Sequence, residues 1–260
     1  MASPEDEKSA EVIRRYLAPA MDSTGLDPGL KEWVSSLAMA SLKELVERYS
    51  GRDIGAADMV AMAAASLERN QQVVHERIKS LDSGFSYACA EGCSWCCHSH
   101  LVAMPHEAVN IFQNLPGTLD AAAAARVREH CARVASAWNA GKAREVIGSY
   151  FAPCPFLKNG RCSIYAFRPI ACRNWFSRSV EACRRSYDSK NTITVPQTAI
   201  VMHLKDVVYA SHAALCGLAG VDGGLVSLFT ALDALFQDAE GTLSRWTGGK
   251  PFPGSIGQPG

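Results

Sequence analysis

The 260-residue sequence predicts a mainly α-helical fold, a single helical domain with irregular cysteine-rich loops organised around a metal or iron–sulfur site. Three observations predict it. Apolar residues recur at helical spacing on both sides of the middle of the chain. Nine of the ten cysteines fall between Cys89 and Cys183. The second half of that span, rich in Pro, Gly and Asn, reads as loop, and loops suit ligands whose geometry a metal sets.

The elements follow in order. Residues 1–82 read as an N-terminal helical region. Asp27 is a candidate N-cap and Pro28 a first-turn proline. Leu30, Trp33, Val34, Leu37, Leu42, Leu45, Val46 and Tyr49 then keep helical spacing up to Gly51. A second helix is expected from about Ala56 to Leu81, with Met59, Met62, Leu67, Val74, Ile78 and Leu81 on its apolar face. Its methionines suit core filling.

Residues 83–190 form the cysteine-cluster metal-binding region. Within it, His100 to Met104 reads as extended and Pro105 opens a helix. Pro116-Gly117 is a turn, Thr118 a cap, and a long helix runs to about Ala140. Residues 191–246 return to apolar helices, with Gly217 to Gly224 read as a helix break rather than a nucleotide loop, since no strand precedes it. Residues 247–260, with five glycines and three prolines among fourteen, are expected to be a flexible tail.

Composition narrows the function. Twenty-six Lys and Arg balance twenty-six Asp and Glu, so the formal net charge is zero and no basic excess speaks for nucleic acid. The most apolar stretch, Ala199 to Phe236, is interrupted by His203, Lys205, Asp206, His212, Asp222 and Asp233, which argues against a membrane span. The opening MASPEDEKSAEV is acidic where a signal peptide would be basic and then apolar, so a cytoplasmic location is expected. In a reducing compartment ten cysteines point to metal binding or redox chemistry rather than to disulfides.

The cysteines come in two groups. Cys89, Cys93, Cys96 and Cys97 stand in the run CAEGCSWCCHSH, and Cys154, Cys162, Cys172 and Cys183 in CPFLKNGRCSIYAFRPIACRNWFSRSVEAC. A metal needs several thiolates within a few ångströms, and short gaps let one segment supply two or three. Cys93 and Cys96 have the two-residue gap of a metal knuckle, with Gly92 supplying the turn. The side chains of the adjacent Cys96 and Cys97 are not expected to point the same way, so that one faces a second site or packs as a small hydrophobe. Cys131 and Cys216, isolated in apolar helical patterns, read as core residues. His98 and His100 are secondary ligand candidates, while His203 and His212 fit helix packing or a polar face. Arg168 and Arg173 flank Cys172, either as cations compensating a negative cluster or as partners of a loop carboxylate. Tyr165 is core or lies near a substrate.

These residues resemble the YkgJ-type cysteine-cluster family, described as zinc- or iron-chelating and related to flagellin lysine N-methylase. The resemblance rests on Cys89, Cys93, Cys96 and Cys97, then Cys154-Pro155-Phe156-Leu157, Gly160, Cys162, Ile164, Tyr165, Arg168, Pro169, Cys172 and Arg173, with Cys183 last. It covers about 95 residues, Cys89 to Cys183, and leaves both flanks unexplained. One departure is a first gap of three residues where two is also common. The resemblance implies a metal or iron–sulfur site held by these eight cysteines; it fixes no reaction. Cys89-x3-Cys93-x2-Cys96 also looks like the radical-SAM signature, but the helical pattern from Met104 to Tyr150 is not the strand train of a partial barrel.

The leading expectation is therefore a metal-binding protein whose cysteines hold an iron–sulfur cluster of the 4Fe–4S type, with room for a second metal. Two zinc sites are usually announced by two C-x2-C knuckles, and only Cys93/Cys96 supplies one. The alternatives are an S-adenosylmethionine-dependent enzyme modifying a protein or peptide, by analogy with the lysine N-methylase, and a zinc-stapled interaction module without chemistry. Nothing in the sequence shows where S-adenosylmethionine binds or sets the oligomeric state.

Overall fold

The computed structural model describes residues 86–90, 92–173, 177–196 and 220–256, together with single residues and short groups within 7–80 and with Tyr209 and Cys216. The described residues are mostly helical, with two short two-stranded ribbons. The chain divides into two compact units.

The first unit comprises residues 1–85, 198–223 and 246–250. Its described residues between Pro28 and Ala40, and between Ala57 and Ser80, are helical, as the spacing predicts. Much of the expected apolar face of both helices lies outside the described residues. Trp246, fully buried, donates its indole N–H to the Asp222 carbonyl at 2.8 Å. Cys216 is buried, as its isolated position predicts, and burial pushes its thiol up to about 12. Asp222 beside it acts in the same direction.

The second unit carries the cysteine segments. Strand β1 (Val102–Ala103) is followed by α1 (Pro105–Asn114), a 3-10 turn (Leu115–Gly117), α2 (Ala121–Ala137), a π turn (Trp138–Lys142) and α3 (Ala143–Ser149). Pro105 at the start of α1 needs no N–H donor there. Helix α2 is capped by Asp120, whose Oδ1 accepts the Ala123 N–H at 2.7 Å, and not by Thr118. The Thr118 hydroxyl instead donates back to the Asn114 carbonyl at 2.7 Å, finishing the preceding turn. The long helix ends where its pattern predicts, because Gly141, just past Ala140, takes φ 79° and turns the chain into α3.

Then come β2 (Leu157–Lys158), β3 (Arg161–Cys162), a 3-10 turn (Tyr165–Phe167), α4 (Ile170–Arg173), α5 (Val180–Asp188), β4 (Val226–Ser227), α6 (Leu228–Gln237) and α7 (Ala239–Thr247). Helix α6 packs against α1 and α2. Ile111, Val127, Cys131, Phe229, Leu232 and Leu235 meet there with essentially no exposure, each large side chain contributing about 1.5–3 kcal/mol by burial. Cys131 is thus a core residue, as expected. Strand β1 pairs antiparallel with β4, Val102 opposite Ser227, which fixes the exit from the first cysteine group to the start of α6.

Residues 251–256, expected in a flexible tail, are folded instead. Phe252 is buried, Ser255 bridges Val226, and the Ile256 N–H donates to the Leu225 carbonyl at 2.8 Å. Gly254 makes this possible. It has φ 81°, and a Cβ there would lie 2.9 Å from the Cβ of Thr230. Glycine content signalled close approach, not looseness.

Glu107, in the first turn of α1, is fully buried and ties two elements together. One carboxylate oxygen accepts the Met104 N–H at 2.9 Å, and the other accepts the Ile170 N–H at 2.6 Å, at the start of α4. Burial pushes its carboxyl up to about 7, outweighing those two N–H bonds and the nearby Arg173 charge. A raised folded-state value means that the folded form holds its proton longer. Stability from this group is therefore full below pH 4.5 and lost as pH rises through 7, by roughly 3 kcal/mol in total. Chemical denaturation between pH 4 and 8 is expected to show this decline in the wild type and to lack it in Glu107→Gln.

Candidate metal centre

The first cysteine group is wound by two consecutive turns. The Cys93 N–H donates to the Ala90 carbonyl at 3.0 Å and the Cys97 N–H to the Ser94 carbonyl at 3.0 Å. Gly92, at φ 91°, sits inside the first turn in a conformation that side chains resist. The tight winding at 95–98 lets both side chains of the vicinal pair reach one cavity. Cys96 and Cys97 both line the same cavity, and their thiols hydrogen-bond to each other. Adjacent residues alternate sides only in extended chain, and this segment is a turn.

The second group is more regular than a loop. Asn159 (φ 52°) and Gly160 (φ 78°) form a two-residue turn of the I′ kind, pairing Leu157 with Cys162 and Lys158 with Arg161. Cys162 ends the hairpin, Cys154 lies in the turn that leads into it, where its carbonyl accepts the Leu157 N–H at 2.9 Å, and the Cys154 N–H donates to the Cys97 carbonyl at 2.7 Å. Cys172 lies on α4, anchored through Glu107. Cys183 lies on α5, which Ser179 caps through the Ala182 N–H at 3.1 Å. Cys89 is tied to the segment before α5, where Ser177 donates its N–H to the sulfur at 3.2 Å and accepts the Ala88 N–H at 2.8 Å.

Six of the eight candidate ligands, Cys93, Cys96, Cys97, Cys154, Cys162 and Cys172, line one cavity of about 140 Å³. Cys89 and Cys183 do not line it. Among the described residues no three His, Cys, Asp or Glu side chains stand close enough to grip one ion as placed. The thiols ring a space rather than meet at a point, so ligation draws side chains inward.

The electrostatics show what such a ring lacks. Burial pushes the Cys172 thiol well above its ordinary range, and the neighbouring Cys154, Cys97 and Cys162 push further, because each thiolate repels the next. Burial likewise raises Cys154, to about 12, and Cys162. Three sulfurs have backbone N–H donors that favour the thiolate: Phe156 for Cys154, Ile164 for Cys162 and Ser177 for Cys89. Within the vicinal pair Cys96 donates, which raises its own thiol and brings Cys97 down to about 7. This donor set fits a thiophilic cation: buried sulfur, partly compensated, short of positive charge.

Arg168 supplies one such charge. Its guanidinium lies 3.6 Å over the Tyr165 ring and favours the thiolate forms of Cys97, Cys162, Cys172 and Cys89. Its Nε is buried without a hydrogen-bond partner. Arg173 differs. Its Nε donates to the Arg168 carbonyl at 2.9 Å, and an Nη donates to Ala166, so it pins the loop backbone. Of the two histidines, His100 lines the cavity and His98 packs between Phe151 and Tyr187. Both ring nitrogens of His100 are buried without a hydrogen bond, and its ring contacts Trp138, Tyr150 and Phe229. Burial brings its pKa down to about 4, helped by the nearby His130 charge, so the imidazole is neutral and able to ligate.

Residues 88–192 match the family model described as "CxxCxxCC: Putative zinc- or iron-chelating domain". The match covers 105 of the 260 residues and takes in the whole cysteine-bearing segment. Searches of curated proteins and of solved structures match neither to the chain. The CxxCxxCC domain accounts for the residues that ring the cavity, and its description is zinc or iron chelation. In this chain the first gap holds three residues, and the turn closed by Cys93 on Ala90 absorbs the extra one.

Two residues that position the site were missed in the sequence. Glu107 stands three residues after Met104, the spacing of a capping box, before a helix whose apolar run could have exposed it. Ser177 carries no signal at all. The vicinal hydrogen bond predicts reactivity. In chelator-treated, reduced protein at pH 7, Cys97 is expected to alkylate faster than Cys154 or Cys172. Cys96→Ala is expected to slow Cys97 by about tenfold, as read by peptide mass spectrometry of a timed iodoacetamide reaction. Unchanged labelling would show that the Cys96 thiol does not lower its neighbour.

Proposed function

We propose that this protein chelates iron as an iron–sulfur cluster through Cys89, Cys93, Cys96, Cys97, Cys154, Cys162, Cys172 and Cys183. The observation that carries the reading is the half-buried ring of six thiols lining one cavity, with backbone N–H groups and the Arg168 guanidinium beside it. Backbone donors and an adjacent cation withdraw charge from cluster sulfurs and raise the reduction potential. A purely structural zinc site gains less from such tuning, so iron is favoured over zinc. A cluster bound here supplies electron transfer, with a 4Fe–4S core the expected type. The surrounding chain supplies burial, N–H donors and one cation.

The reading places the protein in the cytoplasm, where thiols in this number stay reduced. Among the described residues no helix is long and apolar enough to cross a membrane. A protein or peptide remains the proposed partner for an S-adenosylmethionine-dependent modifying enzyme. The cavity gives that reading no support, being smaller than the roughly 300–1,000 Å³ usual for ligands of cofactor size. A zinc-stapled interaction module is the other outcome.

Metal, acid-labile sulfide and an absorption spectrum, taken on protein purified without oxygen, decide between them. Iron with stoichiometric sulfide and broad visible absorption is expected. Zinc without sulfide would make the cysteines structural staples, and neither metal would end the chelation reading. Cys93→Ser is expected to lower bound metal and the melting temperature, whereas Cys216→Ser leaves metal content unchanged. Equal metal loss in both variants would contradict the assignment.

A further inference from the structure

The eight cysteines do not form one undivided ring. Cys97, Cys154, Cys162 and Cys172 all line the cavity. Their backbones are also joined: Cys154 bonds to the Cys97 carbonyl, the Asn159-Gly160 hairpin sets Cys162 against Leu157, and α4 follows within ten residues. Glu107 fixes the start of α4.

The other four gather around the start of α5. Cys89 is bound to Ser177 through sulfur, and Ala88 is bound to the same residue through backbone. The Ser177 hydroxyl accepts the Ser179 N–H at 3.1 Å, and Ser179 caps α5, which carries Cys183. Cys183 packs with Ala182 and Val195, and Trp95, immediately before Cys96, packs against that cluster. Trp95 also meets Tyr187 of α5 edge-on at 5.3 Å. The turn holding Cys93 and Cys96 is thereby pressed onto the helix of Cys183, while Cys93 and Cys96 still reach the cavity wall.

We propose that the chain holds two four-thiolate sites, one from Cys97, Cys154, Cys162 and Cys172, the other from Cys89, Cys93, Cys96 and Cys183, which touch at the Cys96–Cys97 pair. The proposal rests on the chelation reading and adds to it which thiols share an ion. A vicinal pair is what lets two sites lie side by side: one residue ends the first set of ligands and the next begins the second.

Each site supplies four sulfurs, the number that satisfies a tetrahedral divalent ion or a cubane cluster. Each thiol loses its proton to solvent as it binds.

The test uses the full chain, stripped of metal under reductant and titrated with cadmium-113. Two resonances of equal intensity, both in the four-sulfur range, and two cadmium ions per chain are expected. Cys162→Ser and Cys183→Ser should each remove one resonance, a different one in each case, and halve the cadmium bound. A single resonance, or full stoichiometry in Cys183→Ser, would overturn the division. Loss of all metal from either single variant that retains its helical circular dichroism would show one shared centre. The wild-type spectrum decides the matter even if a variant does not fold. Failure of the wild type to bind any cadmium would instead remove the chelation reading beneath it.

Discussion

Buried thiolates repel one another, and the cysteine segment is arranged around that repulsion. Cys172 and Cys154 are buried beside further sulfurs, so ionising any one of them makes the next harder to ionise. The chain offsets part of this with neutral dipoles and one charge: N–H groups of Phe156, Ile164 and Ser177, the thiol of Cys96, and the Arg168 guanidinium. What remains is a negative deficit of several charges when all eight are ionised. Without a cation the raised thiols, Cys154, Cys162 and Cys172 among them, keep their protons, whereas Cys97 loses its proton most readily. With a cation, the same crowding that opposes ionisation favours ligation.

The helices serve this arrangement by holding its entry and exit points. The α1–α2–α6 core is apolar and closely packed, and β1 and β4 lock the chain leaving His100 onto the start of α6. From that frame a single buried carboxylate, Glu107, reaches across to the peptide that opens α4. Its position explains why a group with so unfavourable a burial is kept. It satisfies two N–H groups that would otherwise be orphaned, each costing about 1–3 kcal/mol if left unpaired.

Much of this was legible in the sequence, and the misses have physical causes. Helical spacing located α1, α2, α6 and α7, and Pro105 marked a helix start to the residue. The second cysteine group was read as loop on composition, although Asn159-Gly160 between two short flanks is the strongest short hairpin signal there is. Thr118 lost the cap to Asp120 because its hydroxyl was already engaged one turn back. Gly254 was read as looseness where it permits contact with Thr230. That Cys96 and Cys97 both reach one cavity follows from the turn at 95–98, which residue spacing alone does not encode. Which sulfurs face one another depends on turns and long-range contacts, such as Cys89 with Ser177, that no local spacing encodes.

The cavity is also asymmetric, and this bears on how a metal reaches it. On one side His100 stacks among Trp138, Tyr150 and Phe229, and Tyr150 is held at 2.5 Å from the His130 ring. That wall is aromatic and dry, and it keeps both histidines neutral by lowering their pKa to about 4. On the other side Tyr165 is 42% exposed and carries Arg168 over its face. The guanidinium there opposes a bare cation while stabilising the thiolates behind it.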